Sequence, residues 1–317
     1  MVVAPRYARL IAGRATMSQA ISTIKVTANG LAFAVDTAGN GAKLALCLHG
    51  FPECKFSWRY QLPMLAALGY TAWAPDLRGY GESARPDGVA AYRISALLRD
   101  VAGLIDAARA RGIDGEVLLI GHDWGGALGW LFVLNAVRPV DRFIVMNLPH
   151  PDLFARGLRT TRQLRRSWYI FWFQLPWLPE RVLSANNAAW VAQAFRGMAV
   201  DKSRFPDDVL AVYRANALIP GGLTAMINWY RANFRNPFRS LAPAKRLTVP
   251  TLMLWGERDA ALGKELTIGT EALVDDFTIR YLPGVSHWVQ QEAPEAVNAM
   301  ITAWLAGEPP PFYNKSP

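Results

Sequence analysis

The chain has 317 residues, 52% of them hydrophobic and 19% charged, which is ample for a sizeable core and excludes disorder of the whole chain. Its net charge of +9 comes from 34 Lys and Arg against 25 Asp and Glu, and no nucleic-acid-binding motif accompanies that excess, so nucleic acid is not an expected partner. No apolar run approaches the roughly 18 to 20 residues of a membrane span, and Cys47 and Cys54 make no disulfide framework, so a reducing compartment, the cytoplasm, is expected.

Residues 1–20 hold Arg6, Arg9 and Arg14 without an acid or a long apolar stretch. They are a poor secretory signal and are read as an N-terminal extension, with Met17 as a candidate start and organelle targeting as the alternative. Ile21 to Val26 and Leu31 to Val35 read as strands joined by Asn29-Gly30, a strong hairpin signal. Leu44 to Leu48 is a continuous apolar run, as in a strand buried on both faces, and it ends in His49-Gly50-Phe51-Pro52. Ser57 is placed to cap a helix through Leu68. Thr71 to Pro75 is the next strand, followed by the glycine-rich turn Asp76 to Ser83. A helix is expected from Ile94 to Arg111, with Leu97, Leu98, Val101, Leu104 and Ile105 on one side.

Val117 to Ile120 is a buried strand that enters a helix, Ala127 to Leu134, through Gly121-His122-Asp123-Trp124-Gly125-Gly126. Such a turn is sharp and forces its tip residue, Asp123, into open space at a helix N-terminus, where negative charge is favoured. The alternative for Asp123 is a plain helix cap. Phe143 to Met146 is a further strand, leading to Asn147-Leu148-Pro149-His150-Pro151; His150 is read as holding the loop that follows. Strands alternating with helices imply a mostly parallel sheet of eight strands covered on both faces, an α/β architecture.

From Pro151 to about Ala242 no buried-strand run occurs, and the stretch is helical in tone. Arg156, Arg159, Arg162, Arg165 and Arg166 fall near one face of a helix at intervals of about a turn. A solvated face is one reading of that stripe; peripheral contact with an anionic membrane, beside the aromatics at 168–173, is the other. Alternation resumes with Thr251 to Trp255, a helix near Gly263–Leu273, a strand at Phe277–Leu282 and a helix from about Pro294 to Leu305. The division is therefore a core over 21–150 and 243–308, a helical insertion over 151–242, and a loosely held extended tail over 309–317.

In parallel α/β sheets, ligands sit at the carboxyl ends of the strands. Asp123 follows the fifth strand, Asp259 the seventh and His287 the eighth, the chain order of a nucleophile, an orienting acid and a base. Taken singly, Asp259 could be a turn residue and His287 a hydrogen-bonded core histidine. His122 adjoins the nucleophile but points elsewhere on a tight turn.

His49-Gly-Phe-Pro-Glu53, Ser57-Trp58-Arg59, Asp76-Leu-Arg-Gly-Tyr-Gly-Glu-Ser83 and Gly121-His-Asp-Trp-Gly-Gly126 together resemble the α/β-hydrolase-fold epoxide hydrolases, from about residue 21 to 306. Haloalkane and haloacetate dehalogenases of the same fold also use an aspartate nucleophile and stand as the alternative. The resemblance implies a helical lid with two tyrosines that hydrogen-bond the epoxide oxygen, matched here by Tyr169 and Tyr230. It implies oxyanion donors in the backbones of Phe51 and Trp124, a cis peptide before Pro52, and a reaction without metal or organic cofactor. An arginine after the nucleophile, typical of fluoroacetate-type enzymes, is replaced by Trp124. The two tyrosines could instead only pack the lid, and the Trp124 ring could instead donate to a halide. Substrate contacts are expected from His49, Pro52, Phe171 and Trp172. With the aromatics Phe51 and Trp124, they favour a small apolar epoxide over a charged one. A monomer and a homodimer are both compatible with the sequence.

Overall fold

The computed structural model describes residues 20–234 and 246–313. Eight strands form one sheet: β1 (Ser22–Ala28), β2 (Leu31–Ala38), β3 (Lys43–Leu48), β4 (Tyr70–Pro75), β5 (Val117–His122), β6 (Arg142–Met146), β7 (Thr251–Gly256) and β8 (Phe277–Leu282). Their spatial order is β1-β2-β4-β3-β5-β6-β7-β8. β1 runs antiparallel to β2 and β2 antiparallel to β4; every other pairing is parallel.

The continuous apolar strands are explained by a core on each face of the sheet. Leu44, Leu46, Leu119 and Val145 face one side, with Leu97, Val101 and Leu104 of α2 (Ile94–Arg109) and Leu128 and Leu131 of α3 (Trp124–Leu134). Ala45, Cys47, Leu118, Ile120 and Ile144 face the other, with Leu62 and Leu65 of α1 (Gln61–Ala67) and Val297 and Ile301 of α11 (Pro294–Leu305). From Trp124 to Val133, α3 is buried on all sides, which explains its unbroken apolar sequence.

Between β6 and β7 lie α4 (Pro151–Gly157), α5 (Thr161–Arg166), α6 (Trp168–Trp172), α7 (Leu178–Met198), α8 (Asp207–Ala217) and α9 (Gly222–Asn233), with α7 broken at Ala185–Ala188. α10 (Val289–Glu292) precedes α11. α9 is tied to the core through its ends. The indole of Trp229 donates to the Arg78 carbonyl (3.0 Å), and the Asn233 amide donates to the Tyr92 carbonyl (3.0 Å) while accepting from Ile94 N–H (3.0 Å).

Several expectations change. Ser57 does not cap a helix: it lies inside a 3-10 turn, Lys55–Trp58, and its buried hydroxyl meets the Tyr213 hydroxyl of α8 at 3.2 Å, so a tertiary contact takes the oxygen a cap would use. The helix expected over 263–273 is two short 3-10 segments, Lys264–Thr267 and Thr270–Ala272, interrupted at Gly269, whose φ of 96° no helix accommodates. The five arginines do not share a helix, because α4 ends at Gly157 and α5 begins at Thr161. The tail is held at Pro310, whose carbonyl accepts from Arg280 Nε at 2.7 Å. The extension before residue 20, Met17 included, the junction at 242/243 and residues 314–317 lie outside the described residues.

Candidate active site

Asp123 sits between β5 and α3 with φ 48° and ψ −121°, a conformation L-residues adopt only under constraint. The turn is tight because Gly125 passes so close to the Leu48 carbonyl of β3 that a Cβ there would collide with it. Although Asp123 occupies the cap position of α3, its carboxylate makes no capping bond to that helix. It turns instead toward the loop after β3, where Phe51 N–H donates to Oδ1 at 2.8 Å; Trp124 N–H also donates to the carboxylate. Burial pushes the Asp123 carboxyl above its usual range, against the opposing pull of His287, His122 and these two amides. The Phe51–Pro52 peptide is cis.

His287 and Asp259 come to the same place from the ends of β8 and β7. His287 Nδ1 lies 2.6 Å from Asp259 Oδ2, and its Nε2 lies 3.7 Å from Asp123 Oδ2. Burial alone would lower the His287 pKa. The Asp259 carboxylate, by charge and hydrogen bond, and then the charge of Asp123, outweigh burial and raise it to about 9. Asp259 is itself enclosed by donors: Ala261 N–H (2.8 Å) and Leu262 N–H (2.9 Å) to Oδ1, and the Asn147 amide (2.7 Å) to Oδ2. Burial would raise its pKa, but the His287 charge and these donors hold it below the usual carboxylate range.

Tyr169 of α6 and Tyr230 of α9 meet edge-on, ring centroids 5.9 Å apart, and with Asp123 they line one cavity of about 160 Å³. Burial first, and then the charge of Asp123, raise both phenols well above their ordinary pKa, so both stay protonated. The neighbours of Tyr230 fix its position: Trp229 bonds to the core, and Arg231 forms a two-bond pair with Glu180 (2.5 and 3.0 Å). The Trp124 side chain hydrogen-bonds to Tyr230; an indole N–H can only donate, so the phenol oxygen accepts.

The remaining walls are Leu148, Phe154, Leu158, Ile170, Phe171 and Leu262, with Trp124, Asn233 and Phe234. Asn233 spends its polar atoms on backbone: its oxygen accepts from Ile94, and its nitrogen donates to Tyr92 and Trp229. Of the four expected substrate contacts, the wall includes Phe171. His49 is fully buried outside it: Nε2 accepts from Leu77 N–H (3.0 Å), which leaves Nδ1 to donate to the Gly50 carbonyl (2.9 Å). Pro52 is buried behind Phe51, and Trp172 packs against Trp168 and Phe173. Phe51 presents its ring edge-on to Tyr230 and Phe173, both at 5.3 Å. His150 Nδ1 accepts from Asp152 N–H (3.3 Å), capping α4.

Two groups of supporting residues escaped the sequence reading. Asn147, at the end of β6, joins Asp259 to Gly256, whose N–H donates to Asn147 Oδ1 at 2.9 Å; its place in the row of strand ends was the available signal. Glu53 is fully buried and accepts from Gly50 N–H, Gln290, Gln291 and His122 at 2.7 to 2.9 Å; burial would push its carboxyl up, but these partners, His122 foremost, lower it to about 2. His122 Nε2 meets the His287 carbonyl at 2.9 Å, so both of its ring nitrogens face acceptors. No local pattern marks that network. Among the described residues, no three His, Cys, Asp or Glu side chains converge as a metal site, and no helix is long and apolar enough to cross a membrane.

Residues 45–300 match the model of the family described as "Alpha/beta hydrolase family". The chain is 36% identical over 294 residues to Epoxide hydrolase 4 of Homo sapiens, covering 90% of this chain and 78% of that protein. It is 35% identical over 286 residues to the AB hydrolase superfamily protein YfhM of Bacillus subtilis (strain 168), covering 89% of this chain and 97% of that protein. Among solved structures it is similar to the Bacillus megaterium epoxide hydrolase in complex with an inhibitor, with a TM-score of 0.81 and 29% identity over 89% of this chain and 100% of that one.

Proposed function

The chain belongs to the epoxide hydrolases of the alpha/beta hydrolase family, and from that premise we propose that it opens a small apolar epoxide to a vicinal diol through an ester on Asp123. The observation that carries this reading is the cavity in which the carboxylate of Asp123 faces two phenols.

In the first half-reaction a carboxylate oxygen of Asp123 bonds to an epoxide carbon and the ring C–O bond breaks. With Oδ1 held by Phe51 N–H at 2.8 Å, Oδ2 is the free nucleophile. It needs no base, because it is already an anion. The leaving oxygen takes a hydrogen bond, and then a proton, from Tyr169 or Tyr230. In the second, His287 Nε2 takes a proton from water, and the hydroxide adds to the ester carbonyl of Asp123. The oxyanion on Oδ1 is stabilised by Phe51 N–H and Trp124 N–H; one such donor is worth roughly 2.7–4 kcal/mol. Collapse expels the diol oxygen, which is reprotonated from His287; the proton left on the Asp123 carboxyl returns to the tyrosinate, so that carboxylate and phenol are both restored. Aspartate suits this chemistry because the ester carbonyl belongs to the enzyme; a serine would be left as an ether.

The helices over 151–242 serve, in this reading, as a lid that supplies Tyr169 and Tyr230, on a core of 21–150 and 243–308. Two free, buried cysteines fit a cytoplasmic protein. The substrate is apolar because, beyond the two phenols that meet the epoxide oxygen, the cavity wall offers no unspent polar side chain. The test is turnover of an aryl epoxide in heavy-oxygen water. Diol should form, and label should enter Asp123 during a single turnover. His287→Gln should accumulate the ester and stop there. Halide release from haloalkanes with no diol, or diol without label in Asp123, would overturn the proposal.

A further inference from the structure

Residues 161–175 hold α5, α6 and the turns after each of them; Ser167 N–H donates to the Gln163 carbonyl (2.8 Å) and Phe173 N–H to that of Tyr169 (2.9 Å). Leu164, Trp168, Phe171 and Leu175 form a line in sequence at intervals of three or four residues, about one turn. That line faces solvent: they are 38, 58, 50 and 44% exposed. Gln163, Ser167 and Phe173 of the same segment are buried. Four large apolar side chains turned outward while a glutamine and a serine turn inward invert the ordinary pattern of a water-exposed surface. Trp177, just beyond, is exposed as well.

The segment that carries this stripe is rich in arginine. Residues 153–200 contain seven arginines and a single acid, Glu180, which is committed to Arg231. Arg162 and Arg166 pair with Glu265, and Arg196 with Asp207. Arg156, Arg159, Arg165 and Arg181 are exposed and have no ion-pair partner among the described residues. Arg165 stands beside the stripe, one residue on from Leu164. Aromatic and aliphatic side chains bordered by uncompensated arginines match an interface of acyl chains beneath anionic headgroups.

We infer that the outward stripe Leu164–Trp168–Phe171–Leu175 docks the protein on an anionic lipid bilayer. Phe171 belongs both to the stripe and to the cavity wall, and it meets Phe234, another wall residue, at 5.6 Å. The docked face therefore adjoins the cavity mouth, and an apolar substrate dissolved in the bilayer reaches Asp123 with little passage through water.

The test is flotation of the full-length protein with vesicles of phosphatidylcholine alone and of phosphatidylcholine with about one quarter phosphatidylglycerol, at low salt and at about 0.5 M salt. The protein should float with the anionic vesicles at low salt and be released by high salt. Replacing Arg159, Arg165 and Arg181 by Gln should weaken partitioning about fivefold per arginine, roughly a hundredfold together. Leu164→Ser, Trp168→Ser and Leu175→Ser combined should abolish flotation, with an unchanged melting curve and unchanged turnover of a water-soluble epoxide. Flotation is read without catalysis, so its failure is distinct from failure of the epoxide reaction. A protein that stays with the soluble fraction at low salt, or stripe variants that float like the parent, would overturn the inference. So would a concentration-dependent dimer that the serine variants dissolve and vesicles do not compete for, which would assign the stripe to a second copy of the chain.

Discussion

The charge on Asp123 should govern the basicity of His287. In the resting site His287 is pulled up to about 9 by Asp259 and Asp123 together. Alkylation turns Asp123 into a neutral ester and deletes one of those charges, 3.7 Å from His287 Nε2. At an effective dielectric of about 20 such a pair is worth about 4 kcal/mol, or roughly three pKa units; with water-like screening it is about 1 kcal/mol, under one unit. Both side chains are largely buried, so a fall of one to three units is expected. Asp123→Asn imitates the neutral state and keeps an oxygen for Phe51 N–H. Imidazole NMR titration should place His287 between roughly 6 and 8 in that variant. The hydrolytic half-reaction of the parent, followed by stopped-flow fluorescence in single turnover, should fall off on the acid side in the same range, as His287 is protonated. Stability changes in step. A raised histidine stabilises the fold fully below its unfolded pKa, about 6.5, and this contribution is lost as pH rises toward about 9; in Asp123→Asn that window should narrow. A His287 pKa that stays near 9 in the variant would refute the linkage.

The phenols, the acid-side support and the buried glutamate give three further predictions. Tyr169→Phe and Tyr230→Phe should each slow formation of the ester about a hundredfold to a thousandfold without changing its hydrolysis, as burst kinetics would report. Asn147→Ala removes a donor from Asp259 and leaves the Gly256 N–H without its acceptor. A loss of about 1–3 kcal/mol in urea unfolding is expected, with the hydrolytic pH profile moved to higher pH as Asp259 becomes more basic. Glu53→Ala leaves Gly50 N–H, Gln290, Gln291 and His122 without their buried acceptor and should cost at least about 3 kcal/mol of stability. In the parent, the depressed Glu53 pKa gives stability that is complete above the ordinary glutamate pKa and lost as pH falls toward about 2, so the variant should lose that part of its acid dependence in circular-dichroism titration.

What was legible in the sequence was what the backbone alone arranges. Continuous apolar strands mark a sheet buried on both faces, and such a sheet places whatever follows β5, β7 and β8 along one edge; hence Asp123, Asp259 and His287 could be read together. What was not legible depends on partners far away in the chain. Ser57 has the composition of a cap, but its oxygen belongs to Tyr213, 156 positions on. Glu53 and His122 gain their meaning from Gln290, Gln291 and the His287 carbonyl, which only the closed fold brings near. Periodicity also has no sign. The spacing of Leu164, Trp168, Phe171 and Leu175 is that of an apolar helix face, which sequence alone assigns to packing; only their exposure shows that the face turns outward.

In the proposed mechanism, the same loss of charge that frees His287 acts on the phenols of Tyr169 and Tyr230. Asp123 raises the pKa of both as well as that of His287. On that proposal all three groups stay protonated before reaction: the phenols hold their protons ready for the leaving oxygen, and the imidazole cannot act prematurely as a base. As the carboxylate becomes an ester its field disappears, and each of the three becomes a stronger acid. For the phenols this happens while a strongly basic alkoxide, comparable in basicity with hydroxide, is forming beside them. For His287 it yields the neutral base that the ester then needs. A halide leaving group would need no proton and would gain nothing from phenols timed in this way. The Trp124 indole, which could have served a halide, is directed at the oxygen of Tyr230. The order of the two half-reactions is thus set by one charge, and the site's acids and base need no separate switch.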